Sequence, residues 1–203
     1  MPVGASSFSE ALRRGTEIFH ALAKILKQAG YGTTVGDEGG FAPRVKQGNK
    51  EALELISQAV AAAGYTLGKD IVLALDVAAS ELYRDGKYQL KIEGKQLSSE
   101  EMVIWLQELA QQYSLFSIED GLSEEDWPAW QALTAQVGER LQLVGDDLLV
   151  TNTSFLKRAV EEKAANAILV KPNQIGTLTE TIQAVQMAQK SGWKAILSHR
   201  SGE

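Results

Sequence analysis

The sequence predicts an α/β fold in which parallel strands alternate with helices and form part of a (β/α) barrel. Three observations carry that prediction. Short apolar runs at 71–75, 115–118, 141–144, 168–170 and 195–197 are separated, from the second onward, by one helical segment each, a pattern that gives a parallel sheet with right-handed crossovers. Each run delivers polar groups at its C-terminal end: Asp76, Glu119-Asp120, Asp146-Asp147, Lys171 and His199-Arg200-Ser201. A barrel builds its site in this way, from several strand ends. An open doubly wound sheet, the other possibility, places one glycine-rich phosphate turn after its first strand.

The elements follow in order. Ile18, Phe19, Leu22, Ile25 and Leu26 recur at helical spacing within residues 7–28, and Gly30 ends that helix. A glycine-rich loop, Gly36-Asp37-Glu38-Gly39-Gly40, precedes a second helix over 50–63, which Gly64 stops. After the first strand, residues 83–92 read as a hairpin turned at Asp85-Gly86, a pair that accepts left-handed backbone angles. Ser98-Ser99-Glu100-Glu101 has capping-box character and opens a helix to Gln111. Ser123-Glu124-Glu125-Asp126 opens the next, Asn152 or Thr153 starts a helix to about Glu162, and Thr177 starts another. Trp127 and Trp130 read as packing residues. Five parallel strands fall short of a closed barrel, and Glu203 follows the last strand directly, so the chain reads as a barrel segment.

Composition narrows the partners. At 203 residues, with 44% hydrophobic and 23% charged, the chain suits one domain over 1–203 with a single core. A net charge of −6 argues against nucleic acid or an anionic membrane as the main partner and leaves a small molecule. Without cysteine there are no disulfides and no thiolate metal sites, which fits a reducing compartment. The N-terminus lacks a charged, then apolar leader, and no apolar stretch reaches membrane-spanning length. A cytoplasmic protein is the expectation.

The strand ends carry the chemistry. Taken singly, Asp76, Glu119 or Asp146 reads as a helix cap or turn residue. Together on successive strands they would repel one another, and a hard cation such as magnesium supplies a reason for the arrangement. Lys171 reads as a solvent-reaching lysine, a Schiff-base lysine or a base. Beside a dication its ammonium form would be disfavoured and its pKa would fall. Glu38, among glycines, reads as an exposed turn acid or as a general acid or base on a mobile loop. His199, Arg200 and Ser201 offer a ring, a guanidinium fork and a hydroxyl, which suit a phosphate or carboxylate group. Together these parts describe abstraction of a proton next to a carboxylate.

Six segments then carry a family resemblance: VGDEGGFAP at 35–43, LALDVAASE at 73–81, FSIEDGLSEEDW at 116–127, LVGDDLLVTN at 143–152, ILVKPNQIGTLTET at 168–181 and SHRSGE at 198–203. The chain resembles the C-terminal catalytic domain of the bacterial type of enolase, phosphopyruvate hydratase. A lysine or histidine base with one or two magnesium ions is the known arrangement of the enolase superfamily and not a deduction from these residues.

The resemblance implies a TIM-type barrel and the reversible, magnesium-dependent dehydration of 2-phosphoglycerate to phosphoenolpyruvate, a hydro-lyase reaction of glycolysis. It implies that Asp76, Glu119 and Asp146 bind magnesium, that Lys171 removes the C2 proton, and that Glu38 assists loss of the C3 hydroxyl. Arg200 and Ser201, with His199 beside them, would hold the substrate, a second magnesium bridging its carboxylate and phosphate. Asp147 receives no role. Family members add an N-terminal domain that closes the site, and further barrel units with another substrate lysine. The chain is accordingly expected to be a truncated segment, weakly active or inactive alone and prone to self-association through open strand edges. The parent is expected to be a dimer or octamer, cytoplasmic and in some members found at the cell surface or secreted. Two other readings stay open: a non-catalytic fragment that binds metal or partners, and a superfamily member acting on another carboxylate acid.

Overall fold

The structure is a computed structural model that describes residues 1–200. The chain divides into two compact units, Met1–Leu73 with Gln112–Ser114, and Ala74–Gln111 with Leu115–Arg200.

In the first unit, α1 (Phe8–Gln28) packs against α2 (Asn49–Ala62). The Ser7 hydroxyl accepts the Glu10 N–H and satisfies one of the orphan donors at the start of α1. At the other end Gly30 turns left-handed and the Tyr31 N–H returns to the Leu26 carbonyl at 2.8 Å, which closes the helix. Leu26, Leu53, Leu55, Ala59 and Val60 are buried here. The glycine-rich loop forms a tight turn, with the Gly36 N–H on the Gly40 carbonyl at 2.9 Å and Gly39 at φ +81°. A Val35–Phe41 bridge closes it, and Phe41 stacks on Phe19 at 4.2 Å.

The second unit begins with β1 (Leu73–Asp76, its first residue shared with the first unit), followed by α3 (Ala79–Leu82). Next come β2 (Tyr83–Arg84), β3 (Lys87–Leu90) and β4 (Lys95–Leu97), an antiparallel sheet. Asp85 and Gly86, at φ +51° and +75°, make the expected turn between β2 and β3. The third strand of this sheet is an addition to the predicted hairpin. Then α4 (Ser99–Gln112), β5 (Leu115–Glu119), α5 (Trp127–Val137), β6 (Gln142–Gly145), α6 (Thr153–Glu162), β7 (Ala167–Val170), α7 (Pro172–Ile175), α8 (Leu178–Lys190) and β8 (Lys194–Leu197) complete the fold.

The five-stranded sheet has the order β1-β5-β6-β7-β8. Pairing from β5 to β8 is parallel throughout, with Glu119 level with Val144, Gly145 with Ile168, and Val170 with Leu197. Every crossover therefore moves one place in the same direction. A doubly wound sheet reverses its order at a switch point, so the sequential order selects the barrel type. β7 is buried along its whole length, as a central parallel strand should be.

One helix starts later than its sequence suggests. Ser123 to Glu125 form a turn, and α5 begins at Trp127 behind Asp126, whose carboxylate accepts the Ala129 N–H. Asp126 is used twice more, by the Ser99 hydroxyl at 2.5 Å and the Tyr88 hydroxyl at 2.9 Å. Tyr88 is fully buried and also accepts the Ser123 N–H at 3.1 Å. Trp130, equally buried, donates its indole N–H to the Ser123 carbonyl, while the Arg158 guanidinium lies 3.8 Å over the Trp127 ring. Replacing Tyr88 by phenylalanine strands the Ser123 N–H in the core. Urea unfolding of Tyr88→Phe should show a loss of about 1–3 kcal/mol, the cost of an unsatisfied buried donor; an unchanged midpoint would remove Tyr88 from this role.

Candidate metal and acid–base site

The second unit gathers Asp76, Glu119, Asp120, Asp146, Asp147 and Lys171 at the C-terminal ends of its parallel strands. The turns after the strands set their directions. Asp76 ends β1 and accepts the Ala78 N–H at 3.0 Å, while Ala78 itself is left-handed at φ +45°. Asp120, also left-handed at φ +40°, follows β5 and is buried. Its carboxylate accepts the Asp146 N–H at 3.0 Å and the Asp147 N–H at 2.8 Å, so the turn after β6 is built on it. Gly145 precedes this turn because a Cβ there would lie 2.8 Å from Leu149. One oxygen from each of Asp120, Asp146 and Asp147 lies within 4.8 Å of the others. An all-oxygen set of this kind is capable of holding a hard cation.

The electrostatics are unbalanced. Burial, then the charges of Asp76, Asp146 and Asp120, push the Glu119 carboxyl up to about 8. Among the described residues no hydrogen-bond donor reaches it. Burial raises Asp120 to about 7 against the pull of the two N–H groups it accepts. Asp76 is exposed as a residue, yet partial burial of its carboxyl raises its pKa, and the charges of Asp146 and Asp147 add to this. Asp147 is raised by burial and by Asp146.

Lys171 is ion-paired in the metal-free protein. Burial lowers its pKa, but the hydrogen bond and charge of Asp146, with Glu119 behind them, outweigh burial and leave the lysine above its ordinary value. Its ammonium donates to Asp146 Oδ2, an ion pair on the rim.

The predicted site residues divide accordingly. Asp76, Glu119, Asp146 and Lys171 share the rim, and the Arg200 charge is felt by Lys171. His199 is exposed, with its carbonyl accepting from Arg200 at 3.3 Å. Glu38 is exposed on the glycine loop of the first unit. Ser201 lies outside the described residues. Asp120, Thr151 and Gln174 belong to the site and had no assigned part in the sequence reading. The acidic pairs at 119–120 and 146–147 were the available signal for Asp120; Thr151 and Gln174 had none, because their contacts are made in three dimensions.

A sequential parallel sheet with a carboxylate rim and one lysine defines a (β/α)-barrel protein with a site able to take a cation. A family model described as the enolase C-terminal TIM barrel domain matches residues 1–203, and the chain belongs to that family.

The raised carboxyls carry a pH prediction for the metal-free protein. Between about pH 5 and 8 the native state binds more protons at Glu119 and Asp120 than the unfolded chain does, so stability falls as pH rises through that window. The lowered carboxyls of α1, Glu10 and Glu17, act below it and Lys171 above it. Urea unfolding in EDTA should show the decline, and Glu119→Gln should flatten it. A Glu119→Gln profile as steep as the wild type would contradict the assignment.

Proposed function

We propose that this chain carries the acid–base and metal-binding part of an enolase, acting on 2-phosphoglycerate and phosphoenolpyruvate with magnesium. The observation that carries the proposal is the Asp146–Lys171 pair, set in a carboxylate-rich rim in a chain of the enolase family. The donor set fits magnesium, since every candidate ligand is a carboxylate oxygen. Asp76, Glu119 and Asp146 would hold the ion. The Glu119 carboxylate supports this choice over that of Asp120, because the Asp120 carboxylate already accepts two backbone N–H groups while the Glu119 carboxylate accepts none from the described residues. Bound there, magnesium would offset the second negative charge that develops on the substrate carboxylate as the proton leaves.

The remaining steps belong to protein groups. Lys171, released from Asp146 and neutral, takes the proton from C2. The electron pair left on C2 forms the C2–C3 double bond as the C3 hydroxyl departs, protonated by Glu38, as water. Arg200 and Ser201, with His199 beside them, bind the phosphate, a role for which the Arg200 fork is suited. Glu38 and Ser201 hold their roles on motif alone. The setting of the reaction is glycolysis in the cytoplasm, in a protein that works as a homo-oligomer.

A second reading, a metal-binding chain without turnover, has one observation in its favour: Lys171 is tied up in an ion pair that keeps it protonated. Incubation with magnesium and 2-phosphoglycerate, followed for phosphoenolpyruvate, separates the two. Slow turnover abolished in Lys171→Ala, by at least about a hundredfold for loss of a general base, supports the catalytic reading. A folded chain that binds magnesium without turnover supports the second.

A further inference from the structure

Resting on the magnesium reading above, we infer that Gln174 and Thr151 are positioning residues of this site: they fix the rotamer of Asp146 and leave only its Oδ2 to be exchanged between Lys171 and a cation. Four residues close a ring. The Lys171 ammonium donates to Asp146 Oδ2, and the Gln174 amide donates to Asp146 Oδ1 at 3.0 Å. The Thr151 hydroxyl donates to Gln174 Oε1 at 3.1 Å and accepts the Lys171 N–H at 2.9 Å.

The directions of these bonds follow from one another. Because Thr151 Oγ1 receives the Lys171 N–H, its own proton is free to point at Gln174. That proton requires an acceptor, so the carbonyl end of the Gln174 amide faces Thr151 and the NH₂ end faces Asp146. Asp146 can then rotate only by losing the Gln174 bond, and Oδ1 stays engaged whichever cation holds Oδ2. Thr151 is fully buried and sits in a left-handed turn at φ +57°, beside Val150 at +41°. A β-branched residue holds that conformation only where its surroundings impose it. Gln174 is presented by α7, a single turn started by Pro172 directly after Lys171 and closed by Gly176 at φ +95°. One short segment therefore supplies both the lysine and the amide that aligns the lysine's partner.

The test is manganese(II) binding to the 203-residue chain, read from the electron paramagnetic resonance signal of the free ion, with folding checked by circular dichroism. Gln174→Leu and Thr151→Val should each weaken binding by about tenfold or more, the usual effect of losing a partner of a metal ligand. Thr151→Ser, which keeps the hydroxyl, should bind as the wild type does. Folded Gln174→Leu protein that binds manganese as tightly as wild type overturns the inference.

A double-mutant cycle between Gln174→Leu and Asp146→Ala, on metal-free unfolding, tests the ring without any ion. Non-additivity of about threefold or more in the unfolding constant is expected, and additivity overturns the inference. Absence of manganese binding by the wild type, or binding untouched by Asp146→Ala, counts against the magnesium reading itself; the cycle then decides the positioning role alone.

Discussion

The rim of this barrel segment depends on the buried carboxylate of Asp120. It accepts the N–H groups of Asp146 and Asp147, so the chain leaving β6 is bent around the residue that ends β5. The Asp120 carbonyl meanwhile accepts the Ala79 N–H at 3.0 Å, and the Glu119 carbonyl accepts the Val77 N–H, which draws in the end of β1. Three adjacent strand ends are thus stitched through two residues. Hydrogen bonds to a charged acceptor are worth about 1.5–3 kcal/mol each, and here they offset burial only in part, since the acid remains near 7.

That incomplete compensation explains the character of the whole site. Asp76, Glu119, Asp120, Asp146 and Asp147 share the rim, and Lys171 is ion-paired to one of them. The fold holds them together because each is anchored through backbone contacts made at a strand end, not because they attract one another. A cluster assembled against its own repulsion has a reason to exist if positive charge comes to it. In the metal-free protein Lys171 supplies part of that charge through its ion pair with Asp146.

Much of this was legible from sequence because it is written locally. Apolar runs ending in polar groups placed the five parallel strands, glycines closed the first two helices, and Ser98 with Glu101 makes the capping box that its spacing implied. What stayed hidden depends on distant partners. Asp120 reaches across 26 positions to Asp146, and Gln174 across 28 to the same residue. A glutamine after a lysine and proline has no periodicity to betray it. The start of α5 was misplaced because several cap-like residues run together at 123–126 and only the fold chooses Asp126, already held by Ser99 and Tyr88. The strand β4, with polar Lys95 and Gln96 in succession, lacks the alternation that marks a strand.

The left-handed pair Val150 and Thr151 has a consequence for how this turn can vary. Both residues are β-branched at positive φ, a conformation that costs each of order 1–3 kcal/mol. Glycine at position 150 would relieve local strain in the folded turn while enlarging the freedom of the unfolded chain, two effects of opposite sign. The stiffness that keeps the Thr151 hydroxyl aimed would be lost in the exchange. Such a turn is therefore poor ground for stabilising the protein without loosening its site, and substitutions that raise its melting temperature are better sought on the outer faces of the helices.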